Sequence, residues 1–389
     1  MYFQDEPDHI RTLRDQLQRF VAKELPREKV REWERECTFP RDVLRKLATL
    51  GVFGLTVGEE YGGLGRDVVA AIVVIEELSR RGTVLSTPYI HGAFYGSLNI
   101  SESGSEAQKR AFLPKLAEGE LLFAYGLSEP DVGSDLAAVT TRAELVNDGK
   151  TVRINGSKRW CTGVRDVDYI YCLVRSDSTA PKYHNLSFVL IPTDSAGITI
   201  EDIDHMGLQY TKTTDVTFEN VEVPVDNIVG GLEGWNNGWQ MLVGPALDVE
   251  RLELAAMSLG IARAAVDEAW SYAQERKQFG RVISGHQAVR HTLADVQTQL
   301  RACEHMLYHA AWLANEGRDC AVESSMAKLF VCDTCLKIVL SCQQVMGAYG
   351  LAQEYDMARH VRDMTCMPII GGSSNIQRNN ITNRMRLAT

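Results

Sequence analysis

Ala124-Tyr125-Gly126-Leu127-Ser128-Glu129-Pro130-Asp131-Val132-Gly133-Ser134-Asp135-Leu136-Ala137-Ala138 marks the point where this chain changes character. Its glycines and hydroxyls describe a tight loop on which backbone N–H groups and Ser oxygens can approach a flat cofactor or a polar tail closely. Taken alone, a plain Gly/Ser turn before a strand accounts for the stretch equally well. What lies on either side gives it weight.

Upstream the pattern is helical. From Asp8 to Leu47, Ile10, Leu13, Leu17, Phe20 and Val21 recur at spacings of three and four, with Pro26 and Pro40 placed as at the first turns of new helices. After the loop Gly62-Gly63-Leu64-Gly65, Val68 to Arg81 and Ser105 to Leu116 read as further helices. Downstream, Val152-Arg153-Ile154, Tyr169 to Val174, Ser187 to Ile191 and Val216-Thr217-Phe218 are short runs of β-branched and aromatic residues, divided by Asn147-Asp148-Gly149, Asn155-Gly156 and Ala196-Gly197. Past Gly230-Gly231 and Gly234 the helical pattern returns over Trp239 to Arg276, Gln287 to Asn315, Cys320 to Met346 and Asn375 to Arg386. The expected fold is α+β in three parts: an N-terminal α-helical domain (1–120), a middle β-barrel-like domain (121–230) and a C-terminal four-helix bundle (231–389) whose long helices with Ala-rich faces suit a subunit interface.

Composition narrows the function. A chain of 389 residues with 45% hydrophobic and 24% charged residues is ordinary for a globular protein, and no run is read as an uninterrupted membrane span. The acidic start Met1 to Glu6 lacks the basic and apolar stretches of a leader, so a cytoplasmic location is expected. The formal charge of −10 lacks the basic excess that a nucleic-acid partner requires. Nine scattered cysteines suit free thiols in a reducing compartment. Cys332 and Cys335 have motif spacing but sit in a helical apolar pattern with no second pair, and His305 and His309 have no third ligand near them in sequence. Both read as helix residues rather than metal ligands, and no metal is expected.

With these surroundings, Ala124 to Ala138 resembles the first signature of the acyl-CoA dehydrogenase family, with Val132 where the family prefers a small residue. Gly156-Ser157-Lys158-Arg159-Trp160-Cys161-Thr162-Gly163 is similar to the segment whose Trp and Thr lie against the flavin. Phe218 to Pro224 resembles the strand and turn closing the β domain. Glu275-Arg276-Lys277-Gln278-Phe279-Gly280 with His286-Gln287 resembles the stretch that crosses a dimer interface to the neighbouring subunit's FAD, where a planar guanidinium suits the pyrophosphate. Gln344 to Leu351, continuing to Glu354, Arg359 and Asp363, resembles the second signature. The resemblance spans most of the chain in the family's order.

It implies FAD as cofactor, held by Tyr125, Leu127, Ser128, Trp160, Thr162, Arg276, Gln278, Phe279, His286, Gln287, Gln344, Gly347, Ser373 and Asn375. It also implies an acyl-CoA substrate, electron-transferring flavoprotein as acceptor, a homo-oligomer (dimer or tetramer), and a place in fatty acid metabolism. The family reaction removes an α-proton and a β-hydride from an acyl-CoA thioester to give a trans-2-enoyl-CoA, which needs a carboxylate base in a dry pocket.

The base is absent from its usual place. In Met367-Pro368-Ile369-Ile370-Gly371-Gly372-Ser373-Ser374-Asn375-Ile376-Gln377, Gly371 stands where most members carry glutamate in a Tyr-Glu-Gly-Thr pattern. A minority, including the isovaleryl and long-chain branches, places its glutamate on an upstream helix before an Arg, and Glu250 in Ala246-Leu247-Asp248-Val249-Glu250-Arg251-Leu252-Glu253-Leu254 falls on that position. The resemblance makes Glu250 the catalytic base and assigns Ser134, Asp248, Arg251 and Gly371 to the substrate. Set against this, Glu250 and Glu253 also read as exposed acids near a helix start. Three alternatives stay open: an enoyl-CoA reductase, a nitroalkane-type oxidase or desulfinase, and a non-catalytic partner subunit of the same fold.

Overall fold

The computed structural model describes residues 6–387, so the opening residues 1–5, which carry most of the reading of the chain's start, lie outside the described residues. The N-terminal part is built of helices, among them Asp8–Glu24, Arg27–Glu36 and Arg41–Ala48, with Pro26 and Pro40 directly before the second and third. Proline there loses no hydrogen bond, because the first helical N–H groups have no partner within the helix. Ser105 caps Glu106–Ala117 in a reciprocal box with Gln108, and Asp67 caps the wholly buried Val68–Ser79 helix. Between these two lies a helical stretch absent from the sequence reading: Ser86–Ile90, a π-helix over His91–Leu98, and Asn99–Ser103.

The middle part is one seven-stranded sheet of β1 (Phe123–Gly126), β2 (Arg142–Val146), β3 (Thr151–Thr162), β4 (Tyr169–Arg175), β5 (Leu186–Pro192), β6 (Ile198–Asp202) and β7 (Thr213–Pro224). The order is β1-β4-β2-β3-β7-β6, with β5 pairing β4. Long β3 and β7 run antiparallel, and their register slips between Lys158 and Cys161. A slip of that kind kinks the strand and re-aims a side chain. The residue re-aimed here is Trp160, at φ 65°.

The C-terminal part contains the helices Pro245–Glu275, Gln287–Asn315 and Ala321–Met346, with the shorter Met357–Cys366 and Ser374–Arg384 packed on them. The single helix expected from Trp239 to Arg276 is two, Gly238–Leu242 and Pro245–Glu275, because Gly244-Pro245 interrupts it. Pro245–Glu275 also packs on Val68–Ser79, where a Cβ at Gly260 would sit 2.2 Å from the Glu76 carbonyl oxygen; only glycine permits that approach. Buried Glu76 pairs there with Arg263 and Arg14, tying the N-terminal helices to the bundle by charge as well as by apolar contact.

One sequence expectation needs correcting. Among the described residues, the helix that begins at Ala321 is long and apolar enough to cross a bilayer by length and composition. Lys328, Asp333 and Lys337 obscured the run, yet no charge falls between Ile338 and Leu351. The helix packs against four others of the bundle, with Val331, Cys332, Cys335, Ile338, Val339 and Cys342 all buried.

Candidate active site

Three elements meet around Glu250. It lies in the second turn of Pro245–Glu275 and is 6% exposed, so it is not the exposed helix acid that a helix-start position suggests. Asn99 comes from the helical stretch after the π-helix, and Tyr125 from β1. The Asn99 amide and the Tyr125 hydroxyl both donate to Glu250 Oε1, at 2.7 and 2.5 Å, and Asn99 also reaches the Tyr125 hydroxyl at 2.6 Å. Burial pushes the Glu250 carboxyl up to about 7, against the opposing pull of the Tyr125 and Asn99 hydrogen bonds and of Arg251. Both donors converge on Oε1 and leave Oε2 free of a donor among the described residues.

Other residues of the same helix complete the environment. Arg251 and Asp248 form a close, largely buried ion pair. Glu253 is also buried, at 4% exposure, with Oε1 accepting from the Tyr95 hydroxyl at 3.1 Å. Tyr95 stacks on Tyr125 with ring centroids 4.0 Å apart, and His91 stacks on Tyr95. Leu254 reaches the Gly371 loop: a Cβ at Gly371 would lie 2.2 Å from Leu254 Cδ1, and Gly371 has φ +57°, so a side chain there would strain the backbone and push Leu254 aside. The loop itself is anchored by buried Lys328, whose ammonium donates to the Met367 carbonyl at 3.0 Å.

The residues assigned to the cofactor fall into groups. Tyr125 does not turn its hydroxyl to a separate cofactor surface; that group is held on Glu250. Leu127 and Ser128 lie on the loop after β1, where the Leu127 carbonyl accepts from Lys158 and the Ser128 carbonyl from the Arg159 backbone N–H. Lys158 is buried against Glu129 at 2.9 Å, and Glu129 also accepts from Thr140 and Thr141, so an internal ion pair shapes the loop. Lys158 and the Thr140 hydrogen bonds outweigh burial and hold Glu129 down at about 2. Ser134 is exposed on the same loop. Trp160 stands 55% exposed at the bulge with the Arg159 guanidinium over its ring, and Thr162 shares a hydroxyl–hydroxyl hydrogen bond with Thr213.

A second group lies beyond the far end of the Glu250 helix. Arg276 follows Glu275 directly, and a small hairpin, Lys277–Gln278 with Arg281–Val282, carries Phe279 at its tip, 93% exposed and edge-on to His286. Arg276 lies over the Tyr349 ring, which links the hairpin to Gln344 and Gly347 at the end of the next-but-one helix; Gln287 starts the helix between them. Along a straight helix, 26 residues from Glu250 to Arg276 span about 39 Å. This chain therefore does not bring the two groups together. Ser373 caps the Ser374–Arg384 helix through its side chain, and Asn375 accepts from Arg378.

All three parts of the chain match family models: the acyl-CoA dehydrogenase N-terminal domain over residues 7–120, the middle domain over 124–221 and the C-terminal domain over 236–386. The chain belongs to the acyl-CoA dehydrogenase family. It is 36% identical over 370 residues to an acyl-CoA dehydrogenase of Bacillus subtilis (strain 168), covering 94% of this chain and 95% of that one. It is 33% identical over 380 residues to the caffeyl-CoA reductase-Etf complex subunit CarC of Acetobacterium woodii, covering 97% of each. In structure it is similar to butyryl-CoA dehydrogenase of Megasphaera elsdenii, with a TM-score of 0.93, 29% identity and complete coverage of both chains.

Acyl-CoA dehydrogenases are FAD flavoproteins, and this one is an oxidoreductase of that kind. The residues fit such a group. Trp160 offers a half-exposed aromatic ring at a strand bulge, the loop after β1 offers backbone N–H groups, and Phe279 is an apolar ring without apolar cover in its own chain.

The sequence reading missed Asn99, Tyr95, Lys158, Lys328 and the burial of Glu253 as parts of this site. A signal existed for the first two: His91, Tyr95 and Asn99 recur every four residues in an otherwise apolar run.

Proposed function

We propose that this acyl-CoA dehydrogenase catalyses α,β-dehydrogenation of an acyl-CoA thioester to the trans-2-enoyl-CoA, with Glu250 as the base. The observation that carries the reading is Glu250 itself: a buried carboxyl at about 7, on the helix face that also abuts Gly371 through Leu254. A base poised near neutrality is still ionised in useful amount and is stronger than an exposed carboxylate.

FAD, when bound, supplies the acceptor for the β-hydride. The protein's own residues do the rest. Tyr125 and Asn99 hold Glu250 Oε1 and steady the charged form, leaving Oε2 to take the α-proton. Burial of Glu250 itself, beside Leu254, keeps water from the carboxylate, so its basicity is not quenched. Arg251, held by Asp248, and the exposed Ser134 hydroxyl are the polar groups for the CoA portion.

The name of the Acetobacterium woodii relative supports electron-transferring flavoprotein as redox partner, and it also supports a second reading in which the same site reduces an enoyl-CoA. A carboxyl at about 7 can return a proton to Cα as readily as remove one. The separation of Arg276 and Phe279 from Glu250 supports a homo-oligomer in which each hairpin completes the neighbouring site.

Anaerobic titration of the flavin spectrum with straight, branched and cyclic acyl-CoAs tests the proposal. Bleaching by at least one class in the wild type, with an unbleached but still yellow Glu250→Gln variant, is the expected result. Normal turnover by that variant would remove Glu250 as the base.

A further inference from the structure

Glu253 has no part in the mechanism above, yet it is among the most deeply buried acids near it. Its Oε1 accepts from Tyr95, while its Oε2 is buried without a hydrogen-bond partner among the described residues. It stands three residues from Glu250, so the two carboxyls lie one turn apart on neighbouring positions of the helix surface, with Leu254 and the Gly371 loop on the other side of Glu250. Tyr95, stacked on Tyr125, and Asn99 stand beside it, so this side of the site presents hydrogen-bonding groups as well as apolar ones.

A hydrocarbon acyl chain gains nothing from such a wall. It would leave the Glu253 carboxyl shut away from water and unsatisfied, which is unfavourable for a buried polar group. A hydroxyl on the acyl group would both accept from and donate to that carboxyl. Burial first, and the nearby Glu250 second, push Glu253 well above the usual carboxylate range, which favours the protonated form that donates as well as accepts.

We propose that Tyr95, Asn99 and Glu253 form a polar subsite that selects acyl-CoA substrates carrying a hydroxyl group on the acyl chain over hydrocarbon chains of the same length. The inference rests on the reading of this site as an acyl-CoA pocket.

The test uses the FAD-loaded enzyme and matched pairs of hydroxyacyl-CoA and plain acyl-CoA, scanning the hydroxyl position beyond Cβ. Binding is followed by calorimetry with the unreactive thioether analogues and turnover by flavin bleaching. The wild type is expected to favour at least one hydroxylated partner by about tenfold, equivalent to about 1.4 kcal/mol. Glu253→Leu should abolish or reverse that preference, and Glu253→Gln, which keeps a donor and an acceptor, should retain most of it. Equal binding of both partners by the wild type, or a preference that survives in Glu253→Leu, overturns the subsite while leaving the dehydrogenase reading intact. Preference for an aminoacyl-CoA over the hydroxyacyl-CoA also overturns it, because that partner calls for an ionised Glu253. Failure of every acyl-CoA to bind or bleach overturns both readings.

Discussion

Leu254 Cδ1 lies 2.2 Å from where the Cβ of any side chain at Gly371 would be, one helical turn along from Glu250. A side chain at 371, where the resemblance puts the family's usual base, would therefore have to displace the leucine one turn from the proposed base. On the proposed reading, a base at position 250 and a glycine at position 371 form one packing arrangement.

Restoring a glutamate at 371 should consequently fail. Glu250→Gln/Gly371→Glu is expected to remain inactive and to melt below Glu250→Gln, since the new residue adds a clash to a left-handed backbone that itself costs about 1–2 kcal/mol for a residue with a side chain. Adding Leu254→Ala should recover part of the lost melting temperature. A fully active double variant would show that the loop and helix yield more than the packing indicates.

Glu250→Gln alone should lower kcat by about 10²–10⁴-fold, the usual contribution of a general base, with FAD content unchanged. Stopped-flow bleaching beside a flavin-to-protein absorbance ratio measures both.

The reactive form of Glu250 is the ionised one, so the reductive half-reaction should speed up as pH rises through about 7 and level off above it. Tyr125 and Asn99 favour the ionised form, so Tyr125→Phe and Asn99→Ala should each move that rise to higher pH. A pH profile that does not move would mean that these donors hold the side chain without setting its charge.

Glu253 titrates in the destabilising direction. Its folded pKa lies above the ordinary 4.5, so the folded protein holds a proton that the unfolded chain releases, and stability falls as pH rises above that ordinary value. Glu253→Gln should raise the melting temperature at pH 8 and raise it less at pH 5. Equal gains at both would point to packing rather than charge.

The Lys158–Glu129 pair should show the asymmetry of a buried ion pair. Lys158→Met leaves Glu129 buried without its cation and should cost about 3–5 kcal/mol, whereas Lys158→Met/Glu129→Leu should cost less. Chemical denaturation of the three proteins gives the comparison, and a double variant as unstable as Lys158→Met would deny the pairing.

Much of this fold could be read from the sequence because its elements announce themselves locally. Gln287–Asn315 begins and ends where its apolar period does, and β4 and β5 are dense β-branched runs bounded by turns. Short edge strands such as β6, with exposed residues and no dense apolar run, gave no such sign. Residues 83–100 are buried almost all round, so no amphipathic period marks them, and the π-helix departs from the helical repeat by which a sequence is read. Glu250 was legible through family motifs spread along the chain. Its partners were not, because Asn99 and Tyr125 reach it from 151 and 125 residues away in sequence.

The widened turn over His91–Leu98 makes the length of that segment, more than any one of its residues, the quantity that sets the wall beside the carboxylates. Removing one residue there and letting the helix close to ordinary i→i+4 bonding would swing every upstream side chain by about 100° relative to Asn99. His91 and Tyr95 would leave the site together and the next residues in line would replace them. The lining is thus stored partly as a residue count, and a single insertion or deletion would exchange it wholesale, a change no one substitution can make.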